Sequence, residues 1–295
     1  MRSAKAVVLL AAWTCVPLFA SGSTFSGGSA LKYTDAAVKF GPRPSGSLAN
    51  RKLQGYIKTQ LTRWGVPYTT DAFVANTPAG PKPMMNIVAK IKGTSGRGVV
   101  VSGHYDTKIM PMVTFVGAND AGSSTGLLLE LARTQAGKPR KDDLYIVWFD
   151  GEEAVATWTA NDSLYGSRHL ATKWLTDGTS KTIKALINVD MIGDANLGLV
   201  QEYNSTGWLQ KLVWQAAQES GFAKALSLAG GAIEDDHIPF LRIGVPSVDL
   251  IDFDFGPNNS YWHTAQDTMD KLSAQSLETV GSLVVKTLEK LESVQ

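Results

Sequence analysis

Short runs of β-branched and aromatic apolar residues recur along this chain, and several stop abruptly on charged side chains. Val99-Val100-Val101-Ser102-Gly103 runs into His104-Tyr105-Asp106. Tyr145-Ile146-Val147-Trp148-Phe149 runs into Asp150-Gly151-Glu152-Glu153, and Leu186-Ile187-Asn188-Val189 runs into Asp190. Runs of similar character occupy residues 86–91 and 247–251, and helical patterns lie between, notably at 123–134 and 207–220. Strands alternating with helices predict an α/β fold, a three-layer sandwich whose central twisted sheet is mixed and mostly parallel, with helices on both faces. In open α/β sheets ligands bind beyond the carboxyl ends of the strands. The charged stops are therefore expected to converge on one crevice.

The remaining segments fit one domain over residues 23–295, with no internal repeat and no linker-like tract. Ser47 can cap a helix whose apolar face is Leu53, Tyr56, Ile57, Leu61 and Trp64, ended by Gly65. The Pro- and Gly-containing stretch 77–83 reads as loop. Leu277, Val280, Val284, Leu288 and Leu291 mark an amphipathic C-terminal helix capped by Ser273. The first 22 residues read as a signal peptide: Arg2 and Lys5, then an apolar run from Ala6 to Ala20, then Ser21-Gly22-Ser23. That run is too short for a comfortable membrane span, and no other segment is a candidate. A secreted or periplasmic mature chain is expected.

Charge and cysteine content narrow the chemistry. Lys+Arg is 28 and Asp+Glu 27, so no basic excess points to nucleic acid or to an anionic membrane surface. Losing Arg2 and Lys5 with the signal leaves 26 basic residues against 27 acidic, a net −1. The one cysteine, Cys15, leaves with the same segment. A disulfide framework and a thiolate metal site are excluded, so any metal must be held by His and carboxylates. The strand ends and nearby loops offer His104, Asp106, Asp120, Glu152, Glu153, Asp190 and His263. Two imidazoles and several carboxylates suit zinc or a similar borderline metal in an open site. Glu152 and Glu153 can point different ways at a strand end, one to bind metal and one to act as acid/base.

The same residues carry a resemblance. Gly103-His104-Tyr105-Asp106-Thr107, Asn119-Asp120-Ala121-Gly122, Asp150-Gly151-Glu152-Glu153-Ala154, Asp190-Met191-Ile192-Gly193 and His263-Thr264-Ala265-Gln266-Asp267-Thr268 resemble the zinc-dependent exopeptidases of the M28 peptidase superfamily. Three further stretches are similar to its animal-type glutaminyl-peptide cyclotransferase (glutaminyl cyclase) branch. These are Glu152 through Trp158 with Asp162 through Ala171, the run Glu234-Asp235-Asp236-His237-Ile238-Pro239-Phe240-Leu241, and Trp262 before His263.

That resemblance implies a zinc exopeptidase-like fold and conversion of N-terminal Gln, more slowly Glu, of a peptide or protein to pyroglutamate. It implies one Zn2+ per chain, held by Asp120, Glu153 and His263. Glu152 would be the general acid/base, with Asp190 and Asp235 completing an acidic network. Trp158 and Trp262 would line the substrate pocket, and His104 would be retained without a second metal. Glu152 is expected to have a raised pKa, through burial and acids such as Asp190. The alternative is a secreted two-zinc aminopeptidase, in which His104 is a second-metal ligand. A monomer is expected. Asp236 is expected to serve partly as a helix cap, His237 reads as structural, and His169 has no assigned role. Three departures stand out: no disulfide can form, the 252–261 loop is long and acidic, and Glu234 replaces an expected Gln.

Overall fold

A computed structural model describes residues 24–294. The expected signal peptide lies outside the described residues. The described residues form eight strands: β1 (Tyr68–Thr77), β2 (Gly80–Ile91), β3 (Gly98–His104), β4 (Asp143–Phe149), β5 (Ile183–Asp190), β6 (Leu199–Glu202), β7 (Leu226–Gly231) and β8 (Ser247–Ile251). Six form the central sheet in the order β1-β2-β4-β3-β5-β8. The pairs β3/β4, β3/β5 and β5/β8 are parallel, while β1/β2 and β2/β4 are antiparallel. The sheet is mixed, as expected, with its parallel part carrying the charged strand ends. β6 and β7 form a separate parallel pair.

Alternation along the strands builds the outer layers, because successive side chains point to opposite faces. Val99, Val101, Ile146, Trp148, Ile187, Val189, Val248 and Leu250 form one core. It takes side chains from α1 (Gly27–Val38), α2 (Leu48–Arg63), α3 (Ser124–Gln135), α5 (Gly207–Glu219) and α7 (Ala274–Ser293). Val100, Tyr145, Val147, Phe149 and Leu186 face the other way. There they meet Leu170 and Trp174 of α4 (Tyr165–Thr176) and Phe240 of α6 (His237–Arg242). The two expected caps form: Ser47 accepts from the Asn50 amide and Ser273 from the Ser276 amide.

The stretch expected as loop at 77–83 is instead the tip of a hairpin, with Thr77 paired to Gly80. Pro81 and Pro83 are tolerated because this part of β2 pairs with β1 alone; β4 joins β2 only from Ile87. Pro lacks an amide hydrogen, and a strand with an open edge does not need it. The helix α1 was not expected. Its buried residues include the small Ala30, Thr34 and Ala37, which give little apolar period. It packs tightly on α3, where a Cβ on Gly126 would fall 2.1 Å from Thr34 Oγ1 and 2.5 Å from the Ala30 carbonyl oxygen.

Candidate metal centre

The strand ends bring the expected residues together. His104 ends β3, Asp190 ends β5, and Glu152 and Glu153 follow β4 after Asp150 and Gly151. Asp120 comes from the turn ahead of α3, and Asp235 from the turn ahead of α6. His263 sits at φ 53 in the left-handed region, in the segment after β8. A cavity of about 530 Å3 is lined by Asp120, Glu152, Glu153, Trp158, Asp190, Asp235, Trp262 and His263. His104 is buried and is not among the lining residues. A larger hollow of about 770 Å3 lies elsewhere, against Asp71, Phe73 and His169, and contains neither metal-ligand cluster.

Two clusters have the geometry to hold a metal ion. His263 Nε2 lies 3.0 Å from Glu153 Oε1 and 3.1 Å from Asp120 Oδ2. His104 Nε2 lies 3.2 Å from Asp190 Oδ1 and 3.3 Å from Asp120 Oδ1. Within each cluster the ligand atoms are all within 4.8 Å of one another. Asp120 belongs to both, one oxygen facing each histidine. One imidazole nitrogen and two carboxylate oxygens, without a thiol, form a donor set that fits zinc. The centre is supported from behind. Asp267 accepts the Asn119 amide at 2.7 Å and the Asp120 amide at 3.1 Å. Asp106 accepts the Glu152 and Glu153 amides at 3.2 and 3.4 Å. Trp262 stacks on the His263 ring at 4.0 Å.

The electrostatics separate the acids. Burial pushes the Glu152 carboxyl well above the usual range; His104 opposes this, and Glu153, Asp235 and Asp236 add to it. Burial is the expected leading cause, and Glu153, Asp235 and Asp236 are the foremost raising neighbours. The Asp190 carboxyl is raised to about 7, by burial first and then by Asp235 and Asp120 against the lowering contact with His104. For His104 burial favours the neutral ring, yet Glu152, Asp106, Asp120 and Asp190 outweigh it and hold the imidazole well above its ordinary value. Asp235 accepts from Asn188 Nδ2 at 2.9 Å, and Asn188 also donates to Asp249 at 3.2 Å.

Lys108 and Phe253 carried no expectation, and Glu234 and the 252–261 loop stood out only as departures. Lys108 Nζ lies 3.2 Å from Glu153 Oε2. Phe253 packs edge-on against Trp262 at 5.0 Å and brings the 252–261 loop to the cavity. Asp252 in that loop turns inward to accept the Gly198 and Asp254 amides. Glu234 accepts from Trp158 Nε1 at 3.3 Å. Asp236 corrects an expectation: it stands at the N-cap of α6 with helical backbone angles, and its side chain caps nothing. Both its carboxylate oxygens are buried without a hydrogen-bond partner. His237 is fully buried, 3.2 Å from Glu202, in keeping with a structural part.

Comparison with known proteins agrees with this geometry. The sequence profile of peptidase family M28 matches residues 86–288, and the chain belongs to that family. Its place within the family is with the glutaminyl-peptide cyclotransferases. The chain is 30% identical to the Drosophila melanogaster glutaminyl-peptide cyclotransferase over 275 residues, 82% of this chain and 75% of the relative. The crystal structure of an Acidobacteriales bacterium glutaminyl cyclase is similar at TM-score 0.90 and 39% identity, covering 96% of this chain and 100% of that one. A Zn-dependent exopeptidase from Parabacteroides distasonis is similar at TM-score 0.80 and 27% identity, covering 91% and 99%.

Proposed function

We propose that this chain is a zinc-dependent glutaminyl cyclase that converts N-terminal Gln of peptides and proteins to pyroglutamate with release of ammonia. The observation that carries the reading is buried Glu152 beside the Asp120, Glu153 and His263 cluster, in one cavity walled by Trp158 and Trp262. Asp120, Glu153 and His263 would hold one zinc ion, whose chemistry is to polarise a carbonyl as a Lewis acid. The α-amine nitrogen of the substrate bonds to the side-chain amide carbon, and the bond from that carbon to the amide nitrogen breaks. Glu152 takes the amine proton and returns it to the departing ammonia, so the proton count closes. Because ring closure is intramolecular, Trp158 and Trp262 contribute by holding the flexible side chain folded and excluding water. Asp190 and Asp235 supply the acidic network beside Glu152, and His104 stays hydrogen-bonded to Asp190.

A second reading has a specific observation behind it. The His104, Asp120 and Asp190 cluster is the donor set a two-zinc aminopeptidase would use. Incubation with a Gln-initiated peptide and mass readout separates the two. Loss of one ammonia with one zinc per chain supports the cyclase; loss of a whole residue with two zincs overturns it.

The catalytic domain spans residues 23–295 and acts as a monomer. Residues 1–22 direct export and are removed, leaving the enzyme secreted or periplasmic. No helix among the described residues is long and apolar enough to cross a membrane.

A further inference from the structure

A second hollow, of about 250 Å3, adjoins the site cavity, and Lys108 lines both. Pro42 and Pro44 form part of its lining, together with Ile109, Met110 and Val113. The loop that carries these last three leaves apolar side chains in water: Ile109 is 36% exposed, Val113 40% and Met112 92%. Apolar surface clustered beside a binding cavity marks a place where something docks.

The hollow is built rather than accidental. Arg43, fully buried in the chain between Pro42 and Pro44, donates Nη1 to the Val116 carbonyl at 2.6 Å and Nη2 to the Gly117 carbonyl at 3.0 Å. Its backbone amide donates to Thr107 Oγ1 at 2.8 Å. These bonds tie the proline segment to both ends of the loop. The loop is also anchored to the metal centre at both ends. Lys108 reaches Glu153, and Phe115 sits edge-on to His263 at 5.7 Å.

We propose that this hollow is the subsite for an apolar side chain at the second or third position of the substrate peptide. The enzyme then favours Gln-initiated peptides with an aliphatic or aromatic residue there. The inference rests on the cyclase reading and deepens it. Once the glutaminyl side chain fills the site cavity, the peptide must leave across the rim. Consecutive Cα atoms are about 3.8 Å apart, so a hollow sharing a wall residue with that cavity lies within reach of the next one or two residues. Polar side chains would lose hydration against the prolines and Val113, and Lys108 is already engaged by Glu153.

The test is a series of Gln-initiated tetrapeptide amides on zinc-loaded enzyme, with Leu, Phe, Ser or Asn at position two or three and alanine elsewhere. The expected result is a kcat/KM for Leu or Phe about tenfold or more above Ser and Asn at one of the two positions. The Ile109→Asn and Val113→Asn double variant should bring that ratio towards one, through KM. Equal values across the wild-type series overturn the subsite, as does a preference that survives in the double variant. Ammonia loss from none of the peptides overturns the cyclase reading itself, and the subsite with it.

Discussion

Glu152 and Glu153 are neighbours in sequence with opposite surroundings. Both are buried, but Glu153 lies 3.0 Å from His263 and 3.2 Å from Lys108, whereas the ion-pair partner of Glu152, His104, stands 3.8 Å away. Glu152→Gln should therefore lose at least about a hundredfold in kcat and keep its zinc, read by ammonia release and atomic absorption. Retained turnover would remove Glu152 from the proton path. Asp267 works one step back, fixing the backbone that presents Asp120. Asp267→Ala should weaken zinc binding about 10–100-fold in chelator competition; unchanged affinity would show that the turn holds itself. The proposed ligand triad could be picked out because each member sits in a recognisable local motif. Asp267 stood inside one such motif without a role, and Lys108 stood beside another. Their importance comes from partners far away in sequence.

The parallel strands of the central sheet were read well because their apolar runs are continuous, and so were the Ser47- and Ser273-capped helices; the parallel pair β6 and β7 was not expected. β1 was missed for a physical reason. It is an edge strand in which only Asp71 and Ala75 are buried, so no apolar alternation marks it. Asp71 points inward to His169 and Lys173, and an inward charge of this kind disfavours edge-to-edge pairing. The same pairing supplies the role that His169 lacked, since its ring also stacks on Phe73 at 4.1 Å. α1 was missed because small residues let it approach α3 closely. Gly126→Ala should destabilise the fold by about 1–3 kcal/mol through overpacking, seen as a lower denaturation midpoint. A stabilised variant, as for an ordinary helix glycine, would mean that the two helices separate at little cost.

At the scale of the whole molecule, buried acids couple stability to pH. Glu202, at the end of β6, accepts from the Asn204, Ser205 and Ile233 amides and from Ser205 Oγ. Burial alone would raise its pKa, but His237 and these donors bring it down to about 2. A carboxyl depressed in the folded state contributes stability above its unfolded value, and that contribution fades as pH falls through the folded value. Glu202→Gln should therefore cost on the order of 3 kcal/mol near neutral pH. The gap to wild type should close between about pH 4.5 and about pH 2. Denaturant titrations at several pH values check this, and a gap that does not depend on pH would refute it.

The sequence by itself determined the class of fold, the chemistry of the donors and the family. Strand and helix periods, donor types and short motifs are local properties, and they survive without coordinates. The tertiary structure decided which groups act on one another. It placed Asp120 between two histidines, set Asp236 in the core without a cap to make, and laid the Arg43-braced hollow against the site. Each of these depends on segments tens of residues apart meeting across a sheet edge or a buried turn, and no local pattern in the chain records such a meeting.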